Sequence, residues 1–302
     1  MNKVIARVFA RRTKATPIDN LAFYDMPGLF PPNVDEVNIN VVFTWDIKRA
    51  EMLAGQWSSI APVNVGGPGI GMRGENFTPG MYVKPGYVIT SRGCPNRCWF
   101  CSVWKRDGDI RELPITEGYN ILDDNLLACS EVHIRAVFRM LKQQPQRAEF
   151  TGGLDAALLK DWHIDLLVDL KPKQIFFAYD TADDYEPLRD IARRLDNAGL
   201  KQGHVLRCYV LVGFPNDTFE KAESRLQSIV NLRYMPMAML YRNNNGIYDR
   251  KWRQFQREWV NPYIVGYKLK CAPASNSSKA HQPESERAVL TRQGILDKKE
   301  RL

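Results

Sequence analysis

From residue 87 onward, short apolar stretches alternate with longer stretches in which apolar positions recur every three or four residues. The apolar stretches predict six β-strands, at residues 87–91, 119–122, 148–150, 174–179, 204–213 and 235–240. The amphipathic stretches predict helices at residues 131–143, 160–170, 185–199 and 219–232. Strands that alternate with helices in this way are typical of a parallel α/β sheet.

Before residue 87 the pattern indicates a smaller unit. A strand at 37–44, a helix at 46–60 and a strand at 62–71 predict one βαβ unit of a Rossmann-like half-domain. The second strand runs into Gly-Gly-Pro-Gly-Ile-Gly at 66–71, a stretch able to cradle a phosphate. Its spacing is not G-x-G-x-x-G and no clear helix follows, so a tight turn with positive φ is favoured. The predicted domains are an N-terminal α/β unit at 1–86, an α/β domain at 87–270 and a flexible polar tail at 271–302.

Composition and charge narrow the function classes. The chain has 302 residues, of which 44% are hydrophobic and 25% charged, as in ordinary globular domains. No apolar run approaches the roughly 20 residues of a membrane helix. The N-terminus is basic, and its apolar stretch is broken by Arg7 and ends at Arg11, which argues against a signal peptide. We therefore expect a cytoplasmic protein with no membrane partner. A net charge of +8 permits a nucleic-acid partner without favouring one, because basic and acidic residues are interleaved.

Polar residues, glycines and cysteines follow the predicted strands at the points where the strands end. The set comprises Cys94, Cys98 and Cys101, residues 123–125, residues 152–155, Asp180, and Gly213 with Phe214. In α/β barrels the chemistry lies at the carboxyl ends of the strands. The sequence therefore predicts a functional site at this edge of the sheet.

Three cysteines fall close together, at Cys94, Cys98 and Cys101, with the spacing C-x3-C-x2-C and no fourth cysteine nearby. In a reducing compartment, clustered cysteines bind metal or do redox chemistry more often than they form disulfides. A structural zinc site needs a fourth ligand, and Cys129 or His133 is a candidate. A 4Fe–4S cluster on three thiolates instead leaves one iron open to a substrate or cofactor. We favour the cluster, with a zinc-stabilised nucleic-acid-binding protein or a simple iron–sulfur electron carrier as alternatives.

The segment Cys94-Pro-Asn-Arg-Cys98-Trp-Phe-Cys101 resembles the signature of the radical S-adenosylmethionine superfamily, C-x3-C-x-aromatic-C, with Phe100 as the aromatic residue. The resemblance implies a partial (β/α)6 TIM-type barrel, and the six predicted strands agree. It implies a 4Fe–4S cluster on the three cysteines whose unique iron binds S-adenosylmethionine. It further implies cleavage to methionine and a 5′-deoxyadenosyl radical, which abstracts hydrogen from an unknown substrate. A one-electron reductant such as flavodoxin or ferredoxin is then a required partner.

The segment after the third strand resembles the superfamily's Gly-Gly-Glu segment, whose backbone meets the amino group of S-adenosylmethionine. Thr151, Gly152 and Gly153 match it, but Leu154 replaces the acid and Asp155 comes one place later. A helix N-cap is the alternative role for Asp155.

The resemblance also implies cofactor contacts after the fourth and fifth strands. Asp180 lies where the superfamily often binds the ribose hydroxyls, although it is equally placed to cap the following turn. Arg207 is a candidate for the cofactor carboxylate, with a structural ion pair as the alternative. Val212 and Phe214 match a segment near the adenine, unless they are core residues.

The sequence Ser-Arg-Gly-Cys-Pro-Asn-Arg-Cys at 91–98 most resembles the branch of the superfamily whose members carry an N-terminal cobalamin-binding domain. The predicted N-terminal unit resembles a shortened form of that domain. The cobalamin-ligating D-x-H-x-x-G motif is absent, and the first histidine is His133. We therefore expect no histidine-ligated cobalamin. The small domain is expected to cover the barrel or to help bind substrate.

Residues 240–268 are rich in aromatic and basic side chains, which are able to stack bases and hold phosphates. Trp252, Phe255 and Trp259 fall on one face at helical spacing. We favour their packing against the barrel over nucleic-acid binding.

Overall fold

The computed structural model describes residues 3–200, 203–243 and 245–271. Over these ranges the chain forms a four-stranded parallel sheet, a six-stranded parallel sheet and a two-stranded antiparallel ribbon. Each of the two larger sheets has its own hydrophobic core. The tail predicted at 271–302 lies, except for Cys271, outside the described residues. None of the helices within the described ranges is long and apolar enough to span a bilayer.

The smaller sheet lies at the N-terminus. It contains β1 (Ile5–Phe9), β2 (Ala22–Phe23), β3 (Glu36–Asn40) and β4 (Val63–Gly66), with helix α1 (Ile47–Trp57) between the last two strands. All pairs are parallel, in the order β2-β1-β3-β4. The predicted βαβ unit corresponds to β3, α1 and β4. The sheet also contains β1 and β2, for which the sequence pattern predicted no strands.

The hydrophobic pattern does not reveal β1 because a charged residue interrupts it. Arg7 follows the fully buried Ala6 and is itself only 6% exposed. Its guanidinium donates to the carbonyl oxygens of Gly80 (2.9 Å) and Met81 (3.1 Å) and pairs with Asp19. A buried charge is tolerated when it is paired and hydrogen-bonded, so Arg7 is part of the core rather than a break in the strand.

The larger sheet and its helices occupy the rest of the chain. In chain order the elements are β5 (Tyr87–Val88), β6 (Ser91–Arg92), α2 (Val103–Arg106), β7 (Arg111–Glu112), β8 (Asn120–Ile121), α3 (Glu131–Lys142), β9 (Glu149–Phe150), α4 (Asp161–Leu170), β10 (Gln174–Tyr179), α5 (Tyr185–Asn197), β11 (Gly203–Val212), α6 (Phe219–Asn231), β12 (Tyr234–Leu240), α7 (Arg250–Val260) and α8 (Pro262–Cys271). The sheet order β5-β8-β9-β10-β11-β12 follows the chain, and every pair is parallel. The predicted parallel α/β architecture is confirmed.

The strand predicted at 87–91 is divided in the structure. β5 pairs with β8, whereas β6 turns away and forms the antiparallel ribbon with β7. Between β5 and β6, the backbone N–H of Thr90 donates to the side chain of Asp123 at 2.6 Å instead of to a ladder carbonyl. A side chain therefore ends the sheet pairing here and directs the chain into the cysteine segment.

The two faces of the six-stranded sheet have different surroundings. Phe177 of β10 and Cys208 and Val210 of β11 point into the core formed with the helices. Alternate residues point to the opposite face. There Ala178 is exposed although β10 is an interior strand, and Met239 of β12 is 43% exposed. This less covered face adjoins the carboxyl edge of the sheet, where the sequence predicts the site.

The aromatic residues of α7 pack against the domain as predicted. Phe255 and Trp259 are buried in the main core, and Trp252 packs at its edge. Trp252 also lies 4.3 Å, between ring centroids, from Phe219 of α6. These three side chains are therefore not available to stack nucleic-acid bases.

The glycines at 66–71 serve close backbone packing. Gly67 has φ 120°, and a Cβ there would lie 2.6 Å from the carbonyl oxygen of Val41. A Cβ on Gly69 would lie 2.8 Å from the carbonyl of Phe43. Both positions require glycine because a side chain would overlap neighbouring backbone. The positive φ of Gly67 and Gly71 agrees with the predicted tight turn.

His163 makes a testable contribution to the pH dependence of stability. It is buried in α4, its Nδ1 accepts from the backbone N–H of Lys160 (2.9 Å), and burial lowers its pKa from 6.5 to about 4. Between these values the unfolded chain binds a proton that the folded chain does not. This contribution to the free energy of unfolding therefore rises as the pH increases from about 4 to 6.5.

Urea unfolding at several pH values in this window tests the His163 contribution. We expect His163→Gln to show a shallower rise in unfolding free energy with pH than wild type. The exposed His204→Gln variant controls for the loss of a histidine and should retain the wild-type slope. Equal slopes in His163→Gln and wild type would contradict the assignment.

Candidate functional site

The cysteine loop, defined as residues 93–102, follows β6 directly. Gly93 opens it with φ 88°, and a Cβ there would overlap the carbonyl oxygen of Asp109. The backbone N–H of Cys94 donates to Gly108 (3.1 Å), and the carbonyl oxygen of Cys98 accepts from the N–H of Cys101 (3.2 Å). None of the three thiols is in a disulfide, and all three residues are half-buried. The loop therefore forms a compact turn that presents three thiols.

Two consecutive carboxylates at the end of β8 hold the start of this loop. Asp123 accepts hydrogen bonds from the backbone N–H and hydroxyl of Thr90, both at 2.6 Å, and from the hydroxyl of Ser91 at 2.8 Å. Asp124 accepts from the N–H of Gly93 at 2.9 Å. Burial raises the pKa of Asp123 and the pKa of Asp124. Residues 90–93 are thus held in place by the side chains of two residues at the end of β8, the strand next to β5.

Asp155 connects the cysteine loop to the end of β9. Its Oδ1 accepts from the N–H of Ala157 (3.1 Å), which is the N-cap role considered above. Its Oδ2 accepts from the side-chain amides of Asn96 (2.7 Å) and Asn125 (3.3 Å). The amide of Asn125 also lies 3.5 Å from Cys94 Sγ. Asp155 is therefore both a cap and a support for the cysteine loop.

The glycine pair after β9 brings the backbone close to the same edge. A Cβ on Gly152 would overlap the carbonyl oxygen of Asp123, so this position requires glycine. Gly153 has φ 95°, and an added Cβ would meet only the carbonyl oxygen of Phe176, at 3.9 Å. The backbone at Gly153 therefore faces open space at the carboxyl edge of the sheet.

Arg207 and Thr151 lie on the less covered face of the sheet. The guanidinium of Arg207 is 5.6 Å from the ring centroid of Phe176, and burial lowers the pKa of Arg207. Phe176 stacks on Tyr209, whose hydroxyl donates to the carbonyl oxygen of Thr151 (3.1 Å). Arg207 has no carboxylate partner among the residues that the structure describes. The structural ion pair considered for Arg207 is therefore not seen there.

Asp180 extends the pairing of β10 with β11. Its Oδ1 accepts from the backbone N–H of Leu211 at 3.0 Å. The turn that follows is capped by Asp184, whose Oδ2 accepts from the N–H groups of Asp180 (3.0 Å) and Thr181 (2.8 Å). The carboxylate of Asp180 therefore lies at the carboxyl edge between two interior strands.

An aromatic cluster joins the cysteine loop to the ends of β11 and β12. The ring of Trp99 lies 5.5 Å from Phe100, 5.8 Å from Phe214 and 5.7 Å from Tyr241, between centroids. Val212, in contrast, is fully buried in the main core. Phe214 therefore lies beside the cysteine loop, whereas Val212 has the core position that was its alternative.

A buried ion pair, which the sequence pattern did not reveal, supports Phe214. Asp217 Oδ2 accepts from Arg225 and from the N–H of Gly213, both at 2.8 Å. The side chains of Asp217 and Arg225 are 0% and 2% exposed, and the guanidinium lies 5.1 Å from the Phe214 ring centroid. The pair fixes the turn that carries Phe214. The Asn-Asp-Thr sequence after the fifth strand was the available signal, because such residues are typical of caps and turns.

The two candidates for a fourth zinc ligand contact the residues beneath the loop. Cys129 lies near the side chain of Ser91, and burial raises the pKa of Cys129 to about 12. His133 Nε2 lies 3.3 Å from the hydroxyl of Thr90. In the described part of the chain, no three histidine, cysteine, aspartate or glutamate side chains are arranged so as to hold a metal ion.

No protein-family model matches the chain, and no curated protein matches it significantly.

The hold of Asp123 on the cysteine loop gives a second prediction. Asp123→Ala removes the acceptor of buried Thr90 and Ser91 donors, which we expect to lower the free energy of unfolding by roughly 1–3 kcal/mol. Urea unfolding followed by circular dichroism measures the change. Asp165→Ala, at an exposed position of α4, is the matched control and should change stability by less than about 0.5 kcal/mol. If both variants unfold at the wild-type urea concentration, Asp123 does not hold the loop.

Proposed function

We propose that the chain is a radical S-adenosylmethionine enzyme in which Cys94, Cys98 and Cys101 hold a 4Fe–4S cluster. The observation that carries the proposal is the position of the three thiols, on one loop at the carboxyl edge of a sheet whose six parallel strands follow chain order. That order also supports a partial (β/α)6 barrel. The carboxyl edge is where α/β folds bind ligands.

No three side chains in the described part of the chain converge on a single metal ion, but a 4Fe–4S cluster binds each thiolate through a different iron, and the residue types around the loop suit such a group. Three thiols are the donor type that iron–sulfur clusters use. Asn125 Oδ1 and Trp99 Nε1 are buried without a hydrogen-bond partner among the described residues. Buried polar atoms in native proteins are rarely left without partners, and the open space at Gly153 lies at the same edge of the sheet. These features support a ligand beside the cysteine loop.

When bound and reduced, such a cluster supplies the electron that cleaves S-adenosylmethionine and so starts hydrogen abstraction from a substrate. The chain's own residues position and shield the cofactor. In this proposal the amino group of S-adenosylmethionine contacts backbone groups of Thr151, Gly152 and Gly153. The guanidinium of Arg207 binds the carboxylate of S-adenosylmethionine. Asp180 accepts from the ribose hydroxyls.

The aromatic cluster has a separate role in the proposal. The cluster lines one side of the cysteine loop and excludes water from the reacting atoms. It consists of Phe100, Trp99, Phe214 and Tyr241. Asp155 orients the loop through Asn96 rather than by direct contact with the cofactor. The proposed setting is the cytoplasm, with flavodoxin or ferredoxin as the electron donor and no histidine-ligated cobalamin.

Anaerobic reconstitution with iron and sulfide tests the cluster. We expect wild type to bind both, and Cys98→Ala to lose most of the bound iron and sulfide because one of three ligands is gone. Cys208→Ala, a buried cysteine in the main core, is the matched control and should load like wild type. Binding of zinc without an iron–sulfur cluster would contradict the proposal and favour a zinc-stabilised protein.

Reduction in the presence of S-adenosylmethionine tests the reaction. We expect the reconstituted wild type to form methionine and 5′-deoxyadenosine slowly even without substrate, and Cys98→Ala to form neither. A loaded cluster that never yields 5′-deoxyadenosine would instead favour a simple electron carrier.

A further inference from the structure

An arginine lies between two aromatic rings where the two large sheets meet. The guanidinium of Arg242, just after β12, is 5.0 Å from the ring centroid of Trp45 and 4.7 Å from that of Tyr248. Trp45 is itself stacked on Phe43 at 4.7 Å. Aromatic rings near a guanidinium restrict its orientation and leave its N–H groups available for acceptors.

A second arginine shares the same tyrosine. The guanidinium of Arg253 lies 5.6 Å from the Tyr248 ring centroid and donates to the Tyr248 hydroxyl. Two positive charges are thus held around one ring. Close like charges repel each other, and an anion between them would relieve that repulsion.

No acidic residue in the described part of the chain pairs with Arg242 or Arg253. Several other arginines are paired with an acid, as Arg11 is with Asp46 at 2.6 Å. The nearest acid along the chain, Asp249, caps α7 by accepting from the N–H of Lys251 at 2.7 Å. The two guanidinium groups therefore lack a counter-ion from the described chain.

The ring that contacts Arg242 also has a donor without an acceptor. Trp45 Nε1 is buried and has no hydrogen-bond partner among the described residues. Gly246, with φ 74°, allows the chain after β12 to approach Trp45, because a Cβ there would overlap the tryptophan side chain. An indole N–H and a guanidinium are the kinds of donor that an oxyanion accepts from.

The arginine is adjacent to the proposed reaction site. Tyr241, which precedes Arg242, contacts Trp99 of the cysteine loop at 5.7 Å between centroids. Trp45 lies in the turn after β3, so the carboxyl edges of both sheets contribute to this region. Arg242 therefore directly follows a residue that contacts the cysteine loop.

We propose that Arg242, with Arg253 beside it, binds an oxyanion of the substrate, either a phosphate or a carboxylate. The planar fork of arginine matches both groups bidentately. That this oxyanion belongs to the substrate rests on the proposed function, but anion binding itself requires neither the cluster nor S-adenosylmethionine.

Thermal unfolding with inorganic pyrophosphate or succinate tests the anion site. We expect the midpoint temperature of wild type to rise by roughly 2–5 °C at saturating concentrations of at least one probe. Arg242→Gln should lose this rise. Arg257→Gln removes an exposed arginine of the same region and should retain it. A rise with pyrophosphate alone assigns a phosphate, and a rise with succinate alone assigns a carboxylate.

Arg242→Lys keeps the charge but lacks the planar fork, so we expect it to lose most of the rise while folding normally by circular dichroism. It serves as the test if Arg242→Gln does not fold. The same rise in wild type, Arg242→Lys and Arg257→Gln, or no rise in wild type with either probe, would overturn the proposal.

A cluster-free variant separates this inference from the proposed function. Cys98→Ala, which should lose most of the bound iron and sulfide, is expected to keep the probe-dependent rise. Probe binding that depends on Arg242 in this variant supports the anion site whatever the outcome of the cleavage assay. Loss of the rise in Cys98→Ala with its fold intact would overturn the claim that anion binding is independent of the cluster.

Discussion

The hydrogen bonds from residues 90–93 to Asp123 and Asp124 are the interaction on which the site depends. They occupy the position where a longer β5 would continue its ladder, and they divide the predicted strand in two. The side chain of Asp123 is buried, and its three hydrogen-bond donors offset part of the cost of desolvation. The cysteine loop is therefore anchored by the neighbouring strand's end rather than by its own strand.

The same edge of the sheet gathers supports from successive strands. Asp155 holds the loop through Asn96, and the buried pair of Asp217 and Arg225 fixes the turn that carries Phe214. Parallel strands in chain order place all their carboxyl ends at one edge. Groups that are far apart in sequence consequently surround the three thiols. The loss of any one of these supporting contacts would displace the residues that it holds.

The smaller sheet contributes to this region as well as forming a separate core. Trp45 of the turn after β3 contacts Arg242 of the segment after β12, and Gly246 allows the close approach. Arg7 shows how that sheet tolerates a charge, through carbonyl oxygens and Asp19. At this point the two sheets meet through loops, with a guanidinium against an aromatic ring.

The sequence by itself determined the features that depend on local pattern. The alternation of apolar and amphipathic stretches predicted six parallel strands and their helices, and the spacing of Cys94, Cys98 and Cys101 marked the loop, because both are set by neighbours along the chain. Only the tertiary structure decided the rest. Asp123 and Thr90 are 33 positions apart, so no local pattern pairs them. The strand β1 was hidden because the partners of Arg7 lie 12 and more than 70 positions away.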